Sequence, residues 1–157
     1  KTICDLDSID KLIIPGGEST TIGRLLEKTG LGQRIIELAE KGFPIYGTCA
    51  GAIILSKKII GYEQYKLGLM DITIRRNAYG RQAESFEKNI LIKCLSDKPY
   101  KCIFIRAPVI ESASDNIEVL AKENDNIIMA KQKNILVTTF HPELTDDLRI
   151  HDYFLRM

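Results

Sequence analysis

The chain has 157 residues, of which 45% are hydrophobic and 27% charged, and its formal net charge is +1. That length suits one domain around one core, and the near-neutral charge leaves no electrostatic footprint for nucleic acid or an anionic membrane surface. No apolar run approaches the length of a membrane span and no signal peptide is visible, which points to the cytoplasm.

The opening "KTICDLDSID" lacks a starting Met and leads almost at once into KLII (11–14), which reads as a buried strand, so the chain is expected to begin inside its domain. "PGGES" (15–19) is a glycine turn, and TTIGRLLEKTG after it is a helix stopped by Gly30. Apolar residues at 31, 35, 38 and 39 give the next segment helical spacing, with Gly42 as its stop. "FPIY" (43–46) reads as a short buried strand and "AGAIILSKK" (50–58) as a helix start. This βαβα order predicts an α/β fold with a mainly parallel sheet and helices on its faces. Further strands are predicted at 70–75, 90–95, 102–106, 117–121, 126–131 and 134–140. "IIMAKQKNILVTTF" (127–140) has the look of a hairpin turning near "QKN", and "TDDLRIHDYFLRM" that of an amphipathic helix with Thr145 or Asp146 as N-cap.

"GTCAG" (47–51) joins the second of these strands to its helix. A G-x-nucleophile-x-G turn is the elbow of hydrolases, in which glycines permit a strained turn and a close backbone approach. It would place Cys49 at a helix N-terminus, where the macrodipole favours a thiolate. The plainer alternative is a structural cysteine in a glycine-rich turn. Cys4, Cys94 and Cys102 read as small buried hydrophobes. With no C-x-x-C pair and only two histidines, neither a metal site nor a disulfide framework is expected.

A nucleophilic thiol requires a base. His151 falls among charged residues of the terminal helix and reads as a surface position. His141 follows a strand, and Pro142 biases it toward an extended backbone. Residues i and i+2 of an extended segment share a face, so Glu143 is placed to hold the imidazole. The result is a Cys49–His141–Glu143 triad with its members at the carboxyl ends of strands, where open α/β sheets gather function. Backbone amides of the "PGGES" turn, with the N–H of Ala50, are candidates for an oxyanion hole. "RRNAYGRQ" (75–82) carries three arginines, Arg75, Arg76 and Arg81, either as a carboxylate clamp or as a solvated basic loop. "FIRAP" (104–108) sets Arg106 at another strand end, before Pro108.

Together these motifs resemble the glutaminase subunits of pyridoxal 5′-phosphate synthase, within the class I glutamine amidotransferases. The cysteine elbow and "HPE" indicate only the wider triad group, whereas "RNAYGRQ" and "IRAP" select the vitamin B6 branch. The resemblance implies a three-layer flavodoxin-like fold, with a mixed, mainly parallel central sheet covered by helices on both faces. It implies that Cys49 attacks the side-chain amide of L-glutamine, that His141 acts as base and then acid, and that Glu143 orients the ring. It assigns substrate contacts to Gly17, Glu18, Ser19, Arg76, Ile105 and Arg106, and an oxyanion hole to Gly17 and Ala50. No cofactor is implied for the glutaminase step. The implied partner is the synthase subunit, in a large hetero-oligomer through which ammonia passes to pyridoxal phosphate assembly. Residues 1–157 would form a single glutaminase domain lacking the family's first βα unit. A stand-alone cysteine γ-glutamyl hydrolase and a non-catalytic α/β regulatory module remain as alternatives.

Overall fold

The computed structural model describes residues 3–80 and 85–157. After a single helical turn, α1 (Ile3–Leu6), the chain runs β1 (Leu12–Ile14), α2 (Ser19–Thr29), α3 (Leu31–Glu40), β2 (Ile45–Thr48) and α4 (Ala50–Leu55). β3 (Ser56–Ile59), β4 (Met70–Arg75), β5 (Ser85–Ile90), β6 (Tyr100–Ile105), β7 (Val109–Ala113) and β8 (Glu118–Glu123) follow. The last elements are β9 (Asn126–Gln132), β10 (Ile135–Thr138), a 3-10 turn over Pro142–Leu144 and α5 (Arg149–Leu155). No helix among the described residues is long and apolar enough to cross a membrane.

β1, β2 and β10 lie side by side and parallel, with Leu12 and Ile135 both opposite Ile45. Their carboxyl ends therefore open on one edge of the sheet. Beyond β10 the order is β9, β7, β4, β3, with β8 paired to β9, and these neighbours are antiparallel apart from the parallel β3–β4 pair. The sheet is mixed as expected. Its parallel part is narrow because β9, β7 and β4 add antiparallel beyond β10, and the short turns joining β8 to β9 and β9 to β10 can only join antiparallel strands. The β9–β10 hairpin is the clearest case: Gln132 pairs with Ile135, and Lys133 takes a positive φ of 53° in the turn.

The strands near the centre are apolar on both faces. Ile45 and Tyr46, or Leu136 and Val137, send neighbouring side chains into two separate cores. One core lies under α2, α3 and α4, with Ile35, Ile53, Ile54 and Leu55 in it. The other lies under α5 and the β5–β6 hairpin, with Phe154, Tyr100, Phe104 and Phe140. This is the three-layer arrangement.

Several boundaries differ from the sequence reading. The helix over 50–58 ends at Leu55, since Ser56 turns extended and its Oγ donates to the Ile53 carbonyl at 2.8 Å; β3 then pairs with β4. Of the strand over 90–95 only Ile90 is in a strand, as the last residue of β5, and 91–95 is the loop after it; β5 with its mostly exposed residues had little apolar signal. Ile92 is buried all the same, so the apolar run beyond β5 marked core rather than strand. α5 begins at Arg149, not at Thr145 or Asp146. Pro142 opens the 3-10 turn, Thr145 Oγ1 donates to the Pro142 carbonyl at 3.1 Å, and Asp147 Oδ1 accepts from the Arg149 N–H at 3.2 Å. Of the cysteines read as buried, Cys102 is buried, Cys94 half-buried and Cys4 exposed. His151 is half-buried rather than on the surface, its ring 6.3 Å from that of Tyr46 in an edge arrangement.

Two glycines let α4 lie against the sheet. A Cβ on Gly51 would fall 1.9 Å from the Ile14 carbonyl oxygen, and one on Gly47 would fall 2.7 Å from the Gly51 carbonyl carbon. Both obstacles are backbone. Gly51→Ala is expected to lower stability by roughly 1–3 kcal/mol or more through overpacking. Urea denaturation of the two proteins would check it, and equal midpoints would contradict the packing.

Candidate active site

Cys49 sits between β2 and α4 with φ 48° and ψ −103°. A positive φ is strained for a residue with a side chain. Here it is held from both sides: the Cys49 N–H donates to the Thr138 carbonyl at 2.8 Å, and the Cys49 carbonyl accepts from Ile53 N–H at 3.3 Å. The first bond extends the β2–β10 pairing by one residue, so the thiol stands on the edge beside the chain leaving β10.

That chain carries His141. Its N–H donates to the Ile103 carbonyl at 2.8 Å, and its Nδ1–H donates to Glu143 Oε1 at 2.8 Å. The pairing forms as expected, although Glu143 lies in the 3-10 turn rather than in an extended strand. Proline is well suited to the first position of such a turn. With Nδ1 engaged by Glu143, Nε2 is left for the sulfur, and the Cys49 side chain is close enough to favour the protonated ring. Gly16 closes the group from above. A Cβ there would meet the His141 Cε1 at 2.4 Å and the Cys49 Cβ at 3.5 Å, so only glycine fits. Thr48 Oγ1 accepts from the Gly16 N–H at 3.1 Å and fixes the turn.

A cleft of about 360 Å³ opens over the sulfur. The turn after β1 contributes Gly17, Glu18 and Ser19 to it, and the elbow contributes Cys49 and Ala50. The opposite wall carries Arg76, Asn77, Ile105, Arg106 and His141. Every site residue expected from the sequence lines this cleft except Glu143, which stands behind His141. Cys49, Asn77 and Arg106, all lining it, have φ of 48°, 47° and 44°. The arginines part company: Arg75 pairs with Glu111 on β7, whereas Arg76 enters the cleft. Arg81 lies outside the described residues.

The electrostatics follow from these contacts. The Cys49 side chain, and after it the hydrogen bond to Glu143, raise His141 to about 9 against the opposing effect of burial. Burial pushes the Glu143 carboxyl up, but its bonds to His141 and to its own backbone N–H outweigh this and leave it below its usual range. Glu18 caps α2, accepting from the Thr20 hydroxyl, from Thr20 N–H at 3.3 Å and from Thr21 N–H at 2.7 Å. Those bonds lower it to about 2, a carboxylate at any physiological pH. Burial raises Cys94 to about 11 and Cys102 to about 12, so neither competes as a nucleophile near neutrality.

A family model described as the SNO glutamine amidotransferase family matches residues 1–157. The chain belongs to that family. Among relatives of this SNO-family chain is the pyridoxal 5′-phosphate synthase subunit PdxT of Desulforamulus reducens, 53% identical over 152 residues. The match covers 97% of this chain and 81% of that protein. PdxT of Thermotoga petrophila is 51% identical over 152 residues, with the same shares covered. A solved glutamine amidotransferase structure superposes with a TM-score of 0.95 at 43% identity, covering 99% of this chain and 82% of that one. PurLQS from Thermotoga maritima, at 17% identity and a TM-score of 0.64, shares the fold over 96% of this chain and 80% of its own.

Sequence reading named Gly16 only among the "PGGES" amides and Thr48 only within "GTCAG", and it missed Gln64, whose Oε1 accepts from Ser19 and Arg76. Gly16 and Thr48 flank named motif residues and were within reach of the elbow argument. Gln64 lies in a segment without periodicity, and nothing local marks it. The electrostatics of the SNO-family site are open to NMR titration of the His141 ring. Glu143→Gln is expected to lower its pKa and Cys49→Ala to lower it further, the sulfur being the larger cause. With both replaced, burial alone should carry it below 6.5. An unchanged titration in Cys49→Ala would contradict the Cys49–His141 contact.

Proposed function

We propose that this chain hydrolyses L-glutamine to L-glutamate and ammonia, and that it delivers the ammonia to the synthase subunit of pyridoxal 5′-phosphate synthase in a large cytoplasmic hetero-oligomer. Residues 1–157 act in this as one glutaminase domain. The observation that supports the reading is the His141 ring, bonded through Nδ1 to Glu143 and lining the same cleft as Cys49.

The free amino acid suits this cleft, because it presents both charges. The Glu18 carboxylate faces the α-ammonium group, while Arg76 and Arg106 face the α-carboxylate. The side-chain amide then reaches the sulfur. The sulfur attacks with its proton passed to His141, forming an S–C bond to the amide carbon and moving the carbonyl electron pair onto oxygen, where N–H groups of Gly17 and Ala50 receive it. Collapse breaks the C–N bond as the His141 imidazolium gives its proton to the nitrogen, releasing ammonia. The neutral ring next takes a proton from water, whose oxygen attacks the thioester carbon. The C–S bond breaks, glutamate leaves, and the ring proton and sulfur return to their starting state. Glu143 holds the ring and stabilises its charged form throughout.

Cys49→Ala is expected to abolish glutamine hydrolysis with the fold retained. His141→Asn should be nearly as damaging and Glu143→Gln less so, since the ring moves protons and the carboxylate orients it. A glutamine analogue bearing an electrophile should label Cys49 and spare Cys4, Cys94 and Cys102. Mass spectrometry placing the label elsewhere would overturn the assignment of the nucleophile.

Delivery is tested separately. Ammonium salt should replace both glutamine and this chain in a reaction holding the synthase subunit and its sugar phosphate substrates. At low ammonium, product should require glutamine and an intact Cys49, and glutamine hydrolysis should rise when the synthase docks. Full-rate hydrolysis by the free chain, indifferent to any synthase, would support the stand-alone γ-glutamyl hydrolase instead.

A further inference from the structure

Gln64 lies between β3 and β4, in a segment pinned to the helices by close contacts. The Tyr65 carbonyl would be 2.7 Å from a Cβ on Gly23 of α2, and the Tyr65 hydroxyl 2.1 Å from one on Gly32 of α3. The Leu67 N–H donates to the Ile54 carbonyl at 2.7 Å. Glycines at 23 and 32 thus allow the segment to lie directly on α2 and α3, and that seating carries Gln64 to the N-terminal end of α2 beside the cleft.

There its side-chain oxygen joins two cleft residues from different parts of the chain. Gln64 Oε1 accepts from the buried Ser19 Oγ at 3.0 Å and from Arg76 Nη1 at 3.3 Å. Because a guanidinium offers only donors, the amide is held with its oxygen toward Arg76. The Gln64 Nε2 is buried and has no hydrogen-bond partner among the described residues. A buried unpaired donor costs stability. An apolar side chain of similar length would avoid that cost, so the bonds through Oε1 are what this glutamine contributes. Arg76 is further held by Glu18 Oε1 at 3.4 Å and by the Tyr62 ring, 4.4 Å from its guanidinium carbon.

We infer that Gln64 is a positioning residue, which fixes the Ser19 hydroxyl and the Arg76 guanidinium in the arrangement that receives the amino-acid end of the substrate. The inference rests on the glutaminase reading above. It gives Gln64 no contact with the reacting amide and no effect on the Cys49–His141–Glu143 row.

The two roles separate with two thiol reagents, a chloroketone analogue of L-glutamine and iodoacetamide, applied to the full chain with and without the synthase subunit. In Gln64→Met the analogue should alkylate Cys49 roughly tenfold more slowly, as expected for a weakened charge-assisted clamp, with iodoacetamide little changed. The melting temperature should hold or rise, because the unpaired Nε2 is gone. In turnover, KM for glutamine should rise by about the same factor, with kcat much less affected. Equal slowing of both reagents would overturn the inference, since that marks a general disturbance of the site. So would an analogue rate and KM like those of the unaltered chain, while loss of turnover in Cys49→Ala left the glutaminase reading intact. Failure of the unaltered chain to be labelled by the analogue would remove the glutaminase reading, and this inference with it.

Discussion

The site depends on one close approach of backbone to backbone, that of α4 to β1 at Gly51. The Ile14 carbonyl occupies the space a side chain there would need. With α4 this near the sheet, β2 has to reverse into the helix within a single residue, and Cys49 takes a positive φ to do so. The thiol is therefore held at the sheet edge, where Cys49 is buried yet lines the cleft and packs in neither core. A looser contact would relax the turn, and the sulfur would lose its fixed place beside His141.

The rest of the active-site edge is assembled from neighbouring strand ends. Parallel pairing of β1, β2 and β10 means that the glycine turn, the cysteine elbow and the histidine all leave the sheet on the same side. The bond from Cys49 N–H to the Thr138 carbonyl, and that from Gly16 N–H to Thr48 Oγ1, tie these exits together. Gly16 has no tolerance for a side chain, since its missing side chain is the room in which the His141 ring stands. The glycines at 16 and 17 thus differ. The first is fixed by contact with the ring, and the second is at φ 142°, open to glycine but rarely to other residues.

Electrostatics and packing act in the same direction on the imidazole. Burial by itself would disfavour the charged ring, yet the sulfur and the Glu143 carboxylate more than reverse it, to about 9. The ring consequently carries a proton at neutral pH, ready for a leaving nitrogen. As pH rises through that value the proton is lost, and with it the stabilisation that these two partners give the folded site relative to a free histidine near 6.5. At the outer end of the cleft, Glu18 serves two structures at once, as the cap of α2 and as a partner of Arg76. Helix stability and charge placement in the cleft are thereby linked through a single carboxylate.

Much of this was legible in the sequence, for a local reason. The elbow glycines, the Pro142 that precedes Glu143 and the alternation of apolar strands with helices impose constraints within a few residues, so "GTCAG", "HPE" and the βαβα order point to the triad and the fold class without coordinates. Strand ends are where local information fails. The predicted 90–95 strand keeps only Ile90, which closes β5 opposite Tyr100; Ile92 is buried in the loop beyond it, where burial comes from the second core and not from sheet pairing. The parting of Arg75 from Arg76 depends on the antiparallel register of β4 with β7, which brings Glu111 to the first of them. Gln64 depends on Gly23 and Gly32, some forty and thirty residues away in the chain, which let its segment settle on the helices. The sequence by itself determined which groups could do the chemistry, since residue type and short spacing decide that. Only the tertiary structure decided which distant side chains hold those groups in place, because that follows from how closely one backbone can lie against another.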